Sequence, residues 1–163
     1  LQKIAFESFL NQKEELFESY LSTNILIFNS INATGEQIYE LNRSLPNHYC
    51  CFNLQQLLNI NSIIIKESNL NLFGHNEKEN KLTKAILWVY ENLYKTKTFK
   101  DPKQFNIKRL DVLFHIARSQ SNYIKDLISI YDIAEVRELP SEFNQESGIP
   151  IYWKALLKSK VES

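Results

Sequence analysis

The chain has 163 residues, 44% of them hydrophobic and 23% charged, and its 19 basic and 19 acidic side chains give a formal net charge of +0. That length and apolar content suit a self-sufficient folded domain, and the balanced charge excludes a global field that would draw in nucleic acid or an acidic membrane. Three glycines and four prolines are too few for the turns of a many-stranded β fold, so long helices with few connections are expected.

Gln2 to about Ser22 reads as a first helix. Ile4, Phe6, Phe9, Leu10, Leu16, Phe17, Tyr20 and Leu21 recur at three-and-four spacing, with Lys13 breaking the apolar stripe midway. The dense run Ile25 to Ile31 either continues that helix or forms a buried strand. A short helix is expected from Gly35 to about Leu45, ended by Pro46. The segment from Pro46 to Phe52 reads as a loop. Asn53 is then a plausible N-cap for a helix through Leu54, Leu57, Leu58 and Ile64. Residues 68–80, with Gly74 and a run of charge, read as an exposed loop or sub-domain boundary.

Lys81 to Tyr94 carries one apolar face of Leu82, Ala85, Ile86, Val89, Tyr90 and Leu93, and predicts a helix. Asp101 and Pro102 form a cap and first-turn pair for a helix running to about Arg118. Ser119 or Ser121 breaks and recaps it, and a further helix reaches Tyr131. Glu135–Leu139 alternates like a short strand, and Ile149–Trp153 is either its partner or the start of a last helix.

The sequence therefore predicts a mainly α fold, a compact multi-helix domain of about seven helices with room for a small C-terminal β-hairpin. It spans 1–163 as one domain or divides into a helical 1–73 and an 80–163 arranged like a helix-turn-helix or winged helix. The only cysteines, Cys50 and Cys51, are adjacent and cannot frame a disulfide scaffold, so an intracellular setting, cytoplasmic or nuclear, is expected. No zinc spacing, Gly-rich phosphate loop or long apolar run is present, so neither a cofactor, a metal nor membrane insertion is expected. The chain lacks methionine altogether and reads as a fragment of a longer protein.

Three constellations could carry function. Lys95, Lys97, Lys100, Lys103, Lys108 and Arg109 against Asp101 give a local balance of about +5, the kind of patch that phosphate contacts need. The loop His48-Tyr49-Cys50-Cys51 pairs a histidine with thiols but shows no orienting carboxamide or carboxylate, so its cysteines read as small buried hydrophobes. Arg109 and His115 lie on one predicted helix, and their spacing resembles the R-x4–6-H motif of the HEPN superfamily, helical domains many of which are ribonucleases. That resemblance implies that Arg109 holds a phosphate oxygen and His115 relays a proton. Arg43 and His48 match the same spacing across Pro46. The leading expectation is a non-enzymatic protein-interaction or scaffold domain of a larger intracellular complex, with a protein partner and with nucleic acid contacted through Lys95–Arg109. The alternative is a HEPN-like ribonuclease using Arg109 and His115.

Overall fold

The computed structural model describes residues 2–10, 13–98, 100 and 105–134, and these are mainly helical. Six α-helices follow in order: α1 (Gln2–Phe9), α2 (Lys13–Ser30), α3 (Pro46–Glu67), α4 (Lys81–Val89), α5 (Lys108–Gln120) and α6 (Asn122–Leu127). A π-helical turn, Tyr90–Tyr94, extends α4, and 3-10 turns cover Glu40–Asn42 and Ile130–Asp132.

Helix α3 is the axis of the fold. It packs against α1, α2, α4, α5 and the Glu40–Asn42 turn. It is covered on nearly every side, with Cys50, Cys51, Leu54, Leu57, Leu58 and Ile64 all buried. Its start differs from the sequence expectation. Pro46 stands at the first helical position, where its missing N–H costs nothing and its fixed φ already suits the helix. It opens α3 instead of closing a preceding helix. Asn53 is consequently not a cap: it lies mid-helix and donates to Gln37 Oε1 at 2.8 Å. Tertiary packing also carries the helix through the β-branched run Ile63–Ile65 to Glu67.

The expected first helix is two. Helix α1 ends at Phe9 and α2 begins at Lys13, and α2 runs on through the apolar stretch to Ser30. The predicted helix at 35–45 shrinks to the Glu40–Asn42 turn. Gly35 lies at φ +94, where a Cβ would stand 2.2 Å from the Lys84 carbonyl oxygen, so the connection passes directly against the backbone of α4.

The segment 68–80 is anchored to the helices around it. Leu72 and Phe73 are buried. Asn61 on α3 donates to Asn71 Oδ1 (3.0 Å) and Gln120 Oε1 (2.9 Å), and its own Oδ1 accepts from the Leu72 amide (2.7 Å). Asn80 caps α4 by accepting from the Leu82 and Thr83 amides. Ser121 caps α6 as expected, accepting from the Ile124 amide. One hydrophobic cluster runs from Ile4 to Ile133 through every α-helix.

The count of about seven helices and the winged-helix arrangement are not upheld. Among the described residues the only β pairing is the isolated Ile31–Gln37 bridge. The helix after α5 is a six-residue piece ending at Leu127, followed by a fully turned-out Tyr131. The Asp101–Pro102 cap, the strand pair Glu135–Leu139 and Ile149–Trp153, and the last helix lie outside the described residues.

Candidate functional site

Because Pro46 opens α3, Asn47 and His48 fall in its first turn. His48 is half-buried, with its ring stacked on Phe52 (centroids 6.4 Å, 3° between planes) and edge-on to Tyr49 (5.1 Å). The first residues of α5 pack on the same side of α3. There Arg109 brings Nη1 to 3.0 Å from His48 Nδ1, and its Nη2 donates to Gln55 Oε1 at 3.2 Å. Gln55 is fully buried and Arg109 is only 2% exposed. Across 61 residues of sequence, the chain thus holds one nitrogen of the arginine at the Nδ1 edge of a histidine and the other on Gln55.

This contact decides the histidine's tautomer. A guanidinium has donors and no acceptor. His48 Nδ1 must therefore accept, and the proton of the neutral ring sits on Nε2. Beside it the buried Asn47 amide has no hydrogen-bond partner for Nδ2 among the described residues. On the other flank the Arg43 guanidinium lies 3.3 Å over the Tyr49 ring and also pairs with Glu40 at 3.3 Å. Site residues at the start of α3 therefore comprise the His48 imidazole N–H and the Tyr49 phenol, bracketed by Arg43 and Arg109, whereas Asn47 is buried and turned about 160° from Tyr49. Donors of this kind bind and polarise a carboxylate or another oxyanion.

The anticipated Arg109–His115 pair does not form. Six helical steps set the two side chains about 120° apart. Arg109 turns inward to α3, whereas His115 Nε2 reaches the Ala134 carbonyl at 2.9 Å. Arg109 instead joins His48, the histidine of the second match to that spacing. No local pattern signals this, since the contact depends on α5 docking on α3. His75 lies exposed in the 68–80 segment.

The basic stretch is also divided. Lys95 pairs with Glu91 at 2.8 Å, and that carboxylate holds its ammonium above the usual lysine range. Lys97, at φ +55, lays Nζ 3.7 Å over the Tyr94 ring. Lys100 and Lys108 are exposed, Arg109 is buried, and Lys103 is outside the described residues. Tyr94 faces inward and donates to Asp111 Oδ1 at 2.5 Å. Burial foremost, then that hydrogen bond and the Asp111 charge, keep its phenol protonated well above the ordinary tyrosine range.

A cleft of ≈ 440 Å³ lies between the start of α2 and the end of α3. It is remote from His48, at the opposite end of a helix about 33 Å long. It is lined chiefly by aliphatic and lysine side chains and holds no histidine or tyrosine. We therefore place the candidate chemistry at the start of α3. Among the described residues no group of His, Cys, Asp and Glu is arranged to hold a metal, and no helix is long and apolar enough to cross a membrane.

Neither curated proteins nor solved structures give a match to the chain. A family model does: that of alginate lyases, over residues 1–99. The matched span includes Arg43, Asn47, His48 and Tyr49 and stops short of Arg109 and His115. This finding overturns the expected non-enzymatic scaffold with its nucleic-acid contact, and the ribonuclease alternative as well, because the matched family is one of polysaccharide-cleaving enzymes. With 99 of its 163 residues matched, the chain belongs to the alginate lyase family.

Proposed function

We propose that this chain cleaves a uronate polymer of the alginate kind by β-elimination, at the site formed by His48 and Tyr49, with Arg109 behind the imidazole. The observation that carries this reading is the Arg109–His48 hydrogen bond, which fixes a ring N–H on Nε2 within the family-matched segment.

Elimination removes the proton α to a uronyl carboxylate. The C–H electron pair becomes the C4=C5 double bond, the C4–O glycosidic bond breaks, and the departing oxygen takes up a proton. Charge builds on the carboxylate as the proton leaves, so the site must offer donors there. His48 Nε2–H is suited to that task. His48 is not suited to donating its proton outright: with Nδ1 accepting from Arg109, loss of Nε2–H would leave an imidazolate. The proton traffic then falls to Tyr49. As phenolate it takes the C5 proton, and as phenol it returns that proton to the leaving oxygen, so the enzyme ends unchanged. Arg109 is a positioning residue, acting through His48. Arg43 over Tyr49 and the exposed Lys108 beside Arg109 supply positive charge for neighbouring carboxylates of a polyanionic chain.

The test is incubation of the full chain with polymannuronate and polyguluronate, following the ultraviolet absorbance of the unsaturated uronyl product. Absorbance should rise with the native protein, vanish with Tyr49→Phe, and with His48→Gln require more substrate as well as turn over more slowly. No product from either polymer, or full activity in Tyr49→Phe, would overturn the assignment.

A further inference from the structure

We infer that the outer face of α2 is a self-association surface on which two copies of this chain pair antiparallel. Helix α2 has two apolar faces. Leu16 and Ile27, with Ser19 and Thr23, turn inward and are buried. A second line, Phe17, Leu21, Ile25 and Phe28, is 48%, 45%, 62% and 68% exposed. Steps of four, four and three residues keep these four side chains within about 80° of one another around the helix, about 150° from the buried face. They continue over about 17 Å of helix at 1.5 Å per residue. Scattered surface apolar residues need no explanation, but a continuous line including two phenylalanines marks a surface that another molecule covers.

Charge selects a second copy in antiparallel orientation. Glu14 and Glu18 flank the line near the start of the helix. At its far end Lys81 lies 4.2 Å from the Phe28 ring centroid and donates to the Phe28 carbonyl. An antiparallel partner centred between Leu21 and Ile25 sets Phe17 against the partner's Phe28 and brings Glu18 level with the partner's Lys81. The helix dipoles then also oppose favourably. A parallel partner would instead set acidic turn against acidic turn. With formal net charge +0, no long-range repulsion opposes two copies meeting. The ≈ 440 Å³ cleft includes Phe17 in its wall and adjoins the half-exposed Ile65, leaving room for the incoming phenylalanine.

Sedimentation velocity of the full chain across a concentration series tests this. The mass should rise from 19.2 kDa toward twice that value. Ile25→Glu should weaken association about tenfold or more. Its helical circular dichroism should be unchanged, since the side chain makes no core contact. Glu18→Lys should weaken association, and Glu18→Lys combined with Lys81→Glu should restore it. A chain that stays monomeric at every concentration overturns the inference, whether its own residues or an unrelated protein covers the stripe. So does a dimer indifferent to both Ile25→Glu and the charge exchange.

Discussion

Replacing Arg109 with lysine keeps the positive charge and removes the fork. In the native protein one guanidinium reaches His48 Nδ1 at 3.0 Å and Gln55 Oε1 at 3.2 Å through two different nitrogens. A single ammonium on a flexible stem cannot hold both acceptors in that planar geometry. Gln55 is fully buried, so if its bond is the one lost, the acceptor left behind gains no water in exchange. A hydrogen bond from a charged group is worth about 1.5–3 kcal/mol. Stability should therefore fall by about that much in urea titration. If the lost contact is the one to His48, the imidazole loses its fixed tautomer, and the same energy read as transition-state stabilisation is about 10- to 150-fold in kcat/KM. The two readouts separate the roles. Replacing Gln55 with leucine should cost stability while leaving the tautomer of His48 set and kcat/KM in place. Arg109→Lys should lower kcat/KM as well as stability, because the ring proton is then no longer held on Nε2. Native kcat/KM together with an unchanged urea midpoint in Arg109→Lys would refute the positioning role.

Two further predictions concern the frame around the site. Gly35→Ala forces a side chain into left-handed backbone, at about 1–2 kcal/mol. It also sets a methyl 2.2 Å from the Lys84 carbonyl oxygen, and because that neighbour is helix backbone, relief requires moving α4. With overpacking of about 1–3 kcal/mol added, the total is about 2–5 kcal/mol, and a thermal midpoint unchanged from the native protein would contradict the close approach. The Tyr94 phenol is held protonated above its ordinary value of 10.0 in the folded protein, whereas the unfolded chain releases that proton at the ordinary value. A raised folded pKa contributes stability that is complete below 10.0 and is lost as pH rises beyond it. Urea midpoints should accordingly drop on the alkaline side of 10.0, and the drop should be shallower in Tyr94→Phe, with the raised Tyr90 phenol accounting for part of what remains.

Much of the fold is legible in the sequence because helical periodicity is a local signal. The apolar face of Leu82, Ala85, Ile86 and Val89 marks α4 to the residue at which it begins, and Ser121 announces the break before α6. The failures share a physical cause. Pro46 reads as a stop because the residue before proline avoids helical angles. The same ring is equally at home at a helix start, and only the packing of residues 47–67 distinguishes the two uses. The polar side chains of Gln55, Asn59 and Asn61 argue against a central helix, yet all three are buried in α3. Gln55 and Asn61 are accommodated by partners on α5 and in the 68–80 segment, which no window of neighbouring sequence contains.

The site is illegible for a related reason. A spacing rule such as Arg followed by His at five or six residues tests whether two side chains share a helix, and a shared helix fixes their angular separation. For Arg109 and His115 that separation points them apart, one to α3 and one to Ala134. A catalytic pair is more readily built where two helices meet, since each then contributes the residue that faces the other. His48 in the first turn of α3 and Arg109 in the first turn of α5 satisfy that condition although 61 residues separate them. The sequence does hold one usable hint. Once Pro46 is taken as a helix start, His48 and Tyr49 become part-exposed protic groups of a first turn, and an arginine brought to that turn can act on the imidazole without itself touching solvent. That division, with the buried charge held at Nδ1 and the ring proton on Nε2, is what the proposed β-elimination needs if His48 is to donate a hydrogen bond and Tyr49 is to carry the proton.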